Sequence, residues 1–222
     1  MKHNQSGFTL IEIAIVLVII GLLLGGVLKG QELINSAKVK NIANDFRNIP
    51  VFIYGYQDKY RALPGDDANA ATHLGAAALV PASAVAGNGS IDGLWSSVSA
   101  TDESQIFWQH IRLAGLANGP TTGVADYRPT NADGGTIGIQ SNNGTFVTIT
   151  KNAAGAASLM SGTYIICSTG ILGKYVKQLD ITMDDGEANT GSMRAADPLA
   201  AGQSVTSAGI NDGQAYTVCM GV

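Results

Sequence analysis

One uninterrupted apolar run, Phe8 to Leu28 (FTLIEIAIVLVIIGLLLGGVL), constrains this chain more than any other feature. About 20 apolar residues are long enough, as a helix, to cross the ~30 Å hydrocarbon core of a bilayer. The run holds a single charge, Glu12, near its beginning. A carboxylate at mid-membrane costs about 2.5–3.5 kcal/mol on insertion scales, and less toward the interface. Such a charge needs a partner or a role, and no partner is expected within the same helix. The residues before it, Met1-Lys2-His3-Asn4-Gln5-Ser6-Gly7, are short, polar and basic. A secretory signal peptide is cut after its apolar region, beside small residues. Here the apolar region starts directly after Gly7, so a cut there would leave the hydrophobic helix on the mature chain.

Gly7-Phe8-Thr9-Leu10-Ile11-Glu12 reproduces in full the motif G-F-T-L-[IV]-E, and with it the segment resembles the leader of type IV pilins and type II secretion pseudopilins. The resemblance implies cleavage between Gly7 and Phe8 by a prepilin peptidase, and N-methylation of Phe8. It also gives Glu12 a role. In low dielectric the carboxylate would attract the amino terminus of a neighbouring subunit and set the axial register of a filament. Lys2 precedes the apolar run while Lys29, Lys38 and Lys40 follow it, so positive charge alone does not orient the segment. The resemblance does: leader cytoplasmic, one pass through the inner membrane, domain periplasmic. From there the chain would join an extracellular pilus or a periplasmic pseudopilus. Many type IV pilins carry a helix-breaking proline near the end of the segment, whereas this chain reads Leu28-Lys29-Gly30. Stretching of the helix would therefore rest on Gly21, Gly25 and Gly26.

Past Leu28 the pattern turns amphipathic, with Leu33, Ile34, Ala37, Ile42, Phe46, Ile49, Ile53, Tyr56 and Tyr60 at three- and four-residue steps. This predicts one continuous helix, kinked at Pro50 and stopped near Leu63-Pro64-Gly65-Asp66. About 50 residues at 1.5 Å each give a rod of roughly 75–80 Å. Its apolar stripe needs a sheet to cover it. Gly65–Ser99 reads as a long surface connection with a short helix at Ala68–Leu74, and a second helix is expected from Thr101 through Ala114. Strands are expected at Thr136–Gln140, Thr145–Lys151 and Thr163–Cys167, the first two joined as a hairpin by Asn142-Asn143-Gly144. A short helix over Ile171–Leu179, a Gly-, Asp- and Ser-rich loop to about Gly213, and a last strand Ala215–Met220 complete the chain.

The expected division is a leader at 1–7, a transmembrane half-helix at 8–28, an amphipathic half at 29–63, a connecting segment at 64–135 and a sheet-bearing C-terminal region at 136–222. That layout is α+β and resembles the pilin fold, a long N-terminal helix packed on a small antiparallel sheet. LPGD near Leu63 and LDITMDDGEANTGSMRA near Leu179 also look like text common in pilin-like proteins.

The formal charge is −4, and removal of Lys2 with the leader leaves −4 − 1 = −5 on side chains, which excludes a polybasic nucleic-acid binder. No nucleic acid is indicated as a partner. Lys38, Lys40 and Arg47 form a small basic group suited to acidic groups on neighbouring subunits or to water. In a periplasmic domain the two cysteines, Cys167 and Cys219, favour a disulfide, and their spacing fits no zinc pattern. The acidic loop offers Asp180, Asp184, Asp185 and Glu187 as oxygen ligands for calcium, although solvated turn carboxylates are the commoner reading. Asn88-Gly89-Ser90-Ile91-Asp92-Gly93 imitates the start of an EF-hand loop but has Ser99 where the bidentate Glu belongs. The histidines are His3, His73 and His110, and none accompanies a nucleophile motif of the G-x-S-x-G kind. Walker and dinucleotide motifs are absent too. No enzyme and no cofactor, calcium apart, are expected.

The function this implies is a filament subunit, polymerised through its apolar helix by an inner-membrane assembly platform and serving adhesion, motility or uptake. A pseudopilin of a type II secretion system is the alternative within that class. A monomeric, membrane-tethered periplasmic binding protein is the alternative outside it.

Overall fold

A computed structural model of the chain describes residues 9–82, 85–143 and 148–222. Helix α1, Leu10–Tyr60, is continuous and contains Pro50. The chain divides into two compact units, one ending at Lys38 and the other running from Val39 to Val222, and α1 contributes to both. In the first unit every residue from Thr9 to Leu28 is exposed. Nothing among the described residues covers this apolar surface, as a segment that meets lipid or other copies requires.

In the second unit α1 buries Val39, Ile42, Ala43, Phe46, Ile49, Ile53 and Tyr56, a three-to-four-residue spacing that makes one stripe. The stripe begins later than the sequence pattern indicates, because Leu33 and Ile34 are 63% and 61% exposed. After Tyr60 the chain leaves the helix through Arg61, held at φ 55°. Two short helices follow, α2 at Ala70–Leu74 and α3 at Glu103–Leu113. α3 ends at Leu113, before Gly115 at φ 77° and one residue short of the expected end at Ala114.

The sheet has four antiparallel strands in the order β1-β2-β4-β3: β1 Ile137–Ser141, β2 Tyr164–Leu172, β3 Met193–Ala196 and β4 Ala215–Gly221. A fourth helix, α4, spans Gly173–Met183 between β2 and β3. One sheet face joins the stripe of α1 in a core with Phe107, Trp108, Ile111, Ile139, Ile166, Val218 and Met220. The opposite face holds Ile165, Cys167 and Cys219 under Trp95, Ile149 and Met160. Two covered faces make β2 read as an apolar run, Tyr-Ile-Ile-Cys, without the alternation of a half-exposed strand.

The fold is α+β, as expected, but the first hairpin is not. β1 pairs with β2, Ile139 facing Ile166 and Gly138 facing Cys167. Of the expected strand Thr145–Lys151, residues 145–147 and the turn residue Gly144 lie outside the described residues, and 148–150 are not in a strand. Lys151 makes only isolated bridges, to Ala157 and Gln203. Ile149 instead packs, fully buried, on the reverse face of the sheet with Met160. β2 also continues past Cys167, through a bulge between Ser168 and Ile171 where Gly170 takes φ 71°, so Ile171 and Leu172 are strand rather than helix. Gly138 is required by close approach, since a Cβ there would fall on the Trp95 carbonyl.

Candidate functional site

Four features carry the chemistry of this chain: the start of α1, the loop Leu63-Pro64-Gly65-Asp66-Asp67, the disulfide, and the acidic loop after α4. Gly7 and Phe8, the expected cleavage pair, lie outside the described residues, as does His3.

Glu12 does have a partner in its own helix, contrary to the expectation from the sequence. Its Oε2 accepts hydrogen bonds from the Thr9 backbone N–H at 2.8 Å and from the Thr9 Oγ1–H at 2.7 Å. The Glu12 N–H in turn reaches Thr9 Oγ1 at 3.4 Å. Thr9 precedes the first helical residue and Glu12 is the third inside, so Thr-Leu-Ile-Glu is a capping box. The signal T-x-x-E is present in the sequence and is masked by the membrane reading of the same residues. Capping satisfies otherwise orphaned amides at a helix start and places a carboxylate at the positive end of the helix dipole. Glu12 remains exposed, so it keeps lone pairs for a second donor.

The LPGDD loop is a structural brace. Gly65 donates its N–H to His110 Nδ1 at 3.1 Å, while His110 Nε2 lies 2.7 Å from the Leu79 carbonyl, which fixes the Nε2–H tautomer. His110 is completely buried, and desolvation holds its pKa below the usual histidine value. Asp66 accepts amide N–H bonds from Gly87, Asn88 at 3.1 Å and Gly89 at 2.7 Å. These donors turn the EF-hand-like stretch toward a carboxylate. Asn88 is likewise spent, its Nδ2 donating to Asp92 at 3.0 Å. The backbone amides of this stretch are thus committed to Asp66. Asp67 accepts from Tyr56 Oη–H at 2.8 Å and sits 2.7 Å from His73 Nδ1, which ties α1 to α2. A cleft of about 560 Å³ opens beside Tyr60, Asp67 and His73. Asp67 and His73 already satisfy each other there.

Glu103, at the start of α3, is 1% exposed; its Oε2 accepts the Asp92 N–H at 2.8 Å and its Oε1 has no partner. Burial, then the charges of Asp66 and Asp92, push its pKa up to about 8. The folded chain thus holds a proton that an unfolded carboxyl, near 4.5, has released. Stability contributed by that proton is present at low pH and lost as pH rises from about 4.5 through about 8. Glu103→Gln keeps the acceptor and removes the titration. Thermal melts of this variant are expected to vary less with pH across that window and to show a gain on the order of 2 kcal/mol over the parent at pH 8.

Cys167 and Cys219 form the expected disulfide, with the Cα atoms 4.0 Å apart. They face each other across β2 and β4, so the bond joins directly opposed residues at the centre of the sheet. Of the basic group on α1, Lys40 and Arg47 are exposed to water.

Of the four candidate calcium ligands, three come together. One carboxylate oxygen from each of Asp180, Asp184 and Asp185 lies within 4.8 Å of the others. Glu187 is exposed, and its carboxylate is not part of the group; its backbone N–H donates to Asp185 Oδ1 at 2.9 Å. Asp180 is 1% exposed with both oxygens unpartnered. Burial, then the charges of Asp185 and Asp184, raise its pKa to about 7.

Residues 2–28 match the family model for the prokaryotic N-terminal methylation motif, which is the signal motif of type IV pilins and pseudopilins. Comparison with characterised proteins and with solved structures gives no match.

Proposed function

We propose that the chain is a structural subunit of a type IV pilus-like filament. The observation that carries this reading is an exposed apolar helix, from Leu10 to Leu28, that starts at a single capped carboxylate within the methylation motif. In this reading prepilin peptidase cuts between Gly7 and Phe8 and Phe8 is N-methylated. The processed chain is held in the inner membrane by its apolar helix, with the domain on the periplasmic side. An assembly platform then stacks subunits, trading lipid contacts for helix–helix packing. Glu12, oriented by Thr9, meets the amino terminus of the adjacent subunit and sets the axial step. The work is mechanical and adhesive, and the energy comes from a separate motor protein.

The disulfide at the centre of the sheet suits a domain that works under load outside the inner membrane. The pseudopilin reading shares the same helix and differs in where the filament stands. Immunogold labelling of the Val39–Val222 unit on intact cells separates the two. Labelled filaments beyond the outer surface support the pilin assignment. Label that appears only after permeabilisation places the filament in the periplasm and favours the pseudopilin. Even label over the inner membrane, with no filaments, favours the tethered binding protein.

A further inference from the structure

A second cleft, of about 410 Å³, is lined by Asp45, Asn48 and Phe52 of α1 together with Trp108 and Arg112 of α3. Its volume falls in the range of small-molecule sites, and its lining mixes apolar surface with a few polar groups, as such sites do. Arg112 is 8% exposed and lies in the last turn of α3, where the helix dipole favours a cation. It donates from Nη1 to the Pro120 carbonyl at 3.1 Å, but its buried Nε has no acceptor. The carboxylate whose charge reaches it, Asp126, is taken by Arg128, which donates from Nη2 at 2.8 Å and from Nε at 3.1 Å. Gly119, at φ 139°, passes so close that a Cβ there would fall on the Arg112 guanidinium. Arg112 is thus held in place with no carboxylate of its own, and burial keeps its pKa below the usual arginine value.

Trp108, 3% exposed, adds a second buried donor, since its Nε1 also lacks an acceptor. Unpaired buried donors are costly, and two of them belong to residues that line one cleft. Asp45 is the converse. It is half-buried, and burial alone acts on its carboxyl, raising the pKa to about 6, so no cation among the described residues compensates it. Asp45 and Arg112 therefore line the same cleft without answering each other's charge.

We propose that this cleft binds a hydroxylated carboxylate the size of a single sugar acid, with its carboxylate on Arg112 and its hydroxyls on Asp45 and Asn48. A guanidinium without a counter-ion selects an anion, and a carboxylate suits its planar fork. A carboxylate and an amide on α1 are hydroxyl partners, one accepting and the other able to do both. Phe52 and Trp108 offer apolar surface to the C–H face of a sugar ring. An α-amino acid fits less well, because its two charges sit side by side while Asp45 and Arg112 do not sense each other. The site belongs to the folded Val39–Val222 unit and does not depend on polymerisation.

The test is isothermal titration calorimetry of the full chain in detergent with methyl glucuronide, methyl glucoside and benzoate. The parent should bind methyl glucuronide with a Kd near about 1 mM, as expected for so small a ligand. Methyl glucoside lacks the charge and benzoate lacks the hydroxyls, so each should bind at least about tenfold more weakly. Arg112→Gln should remove the preference for the glucuronide over the glucoside. Because Arg112 also holds Pro120, that variant is paired with Asp45→Ala, which breaks no contact within the fold. Asp45→Ala should melt like the parent and bind methyl glucuronide at least about tenfold more weakly. No saturable binding of methyl glucuronide by the parent overturns the proposal, as does equal affinity for the glucoside or for benzoate. Parental affinity in Asp45→Ala, or in a folded Arg112→Gln, overturns it as well.

Discussion

Glu12→Gln is expected to abolish filament assembly while leaving the chain inserted in the membrane, processed and folded. The carboxylate has two roles that this substitution separates. Locally it closes the capping box, accepting from the Thr9 N–H and Oγ1–H, and the amide oxygen of Gln can accept the same bonds. Between subunits it supplies a negative charge in a low-dielectric setting, which Gln cannot do. A subunit amine buried in a filament without its counter-charge loses several kcal/mol, and every 1.4 kcal/mol is a factor of ten in an equilibrium constant. Sheared filaments from the variant should fall by at least about tenfold, to the level of cells lacking the protein. Glu12→Ala, which also removes the cap, should add a loss of about 1 kcal/mol in helix stability. Filaments at the parental level in Glu12→Gln would show that register does not depend on this charge.

The second large effect is expected at the disulfide. Cys167 and Cys219 are 52 residues apart in sequence, and the chain-entropy model assigns such a closure about 4 kcal/mol. Replacing both with serine removes this constraint on the unfolded chain. It also puts two hydroxyls into an apolar cluster under Trp95, Ile149 and Met160. At about 2–4 °C per kcal/mol for a domain of this size, melting of the double variant should drop by roughly 10 °C or more. The parent measured in a strong reductant should fall by a comparable amount. A drop below about 3 °C in both would show that the sheet is held by packing alone.

Much of this could be read from the residues. The apolar run, the helix to the LPGD loop and the cysteine pair depend on local pattern and on residue chemistry, and each lies close to where it was expected. The strand pairing did not, for a definite reason. A sheet covered on both faces loses the two-residue alternation, so the pattern suggests strand at Ile149 and helix at Ile171, whereas Ile149 packs on the reverse face of the sheet and Ile171 belongs to β2. β3 carries almost no sequence signal because Met-Arg-Ala-Ala is four residues with little β propensity, paired because β4 lies beside it. The acidic loop was legible as composition. That Asp180 is its buried centre, and Glu187 outside it, depends on the pitch of α4 against the loop, which no sequence period encodes. The capping box at Thr9 is legible as T-x-x-E, but the same residues open an apolar run in which Glu12 stands as an isolated charge.

The most direct test of the central claim is the intact mass of the protein isolated without reductant from its own cell envelope. The filament account predicts a chain that begins at N-methyl-Phe8 and weighs two hydrogens less than the reduced form, from the Cys167–Cys219 bond. A chain that still carries Met1–Gly7, in cells with an active prepilin peptidase, would contradict it.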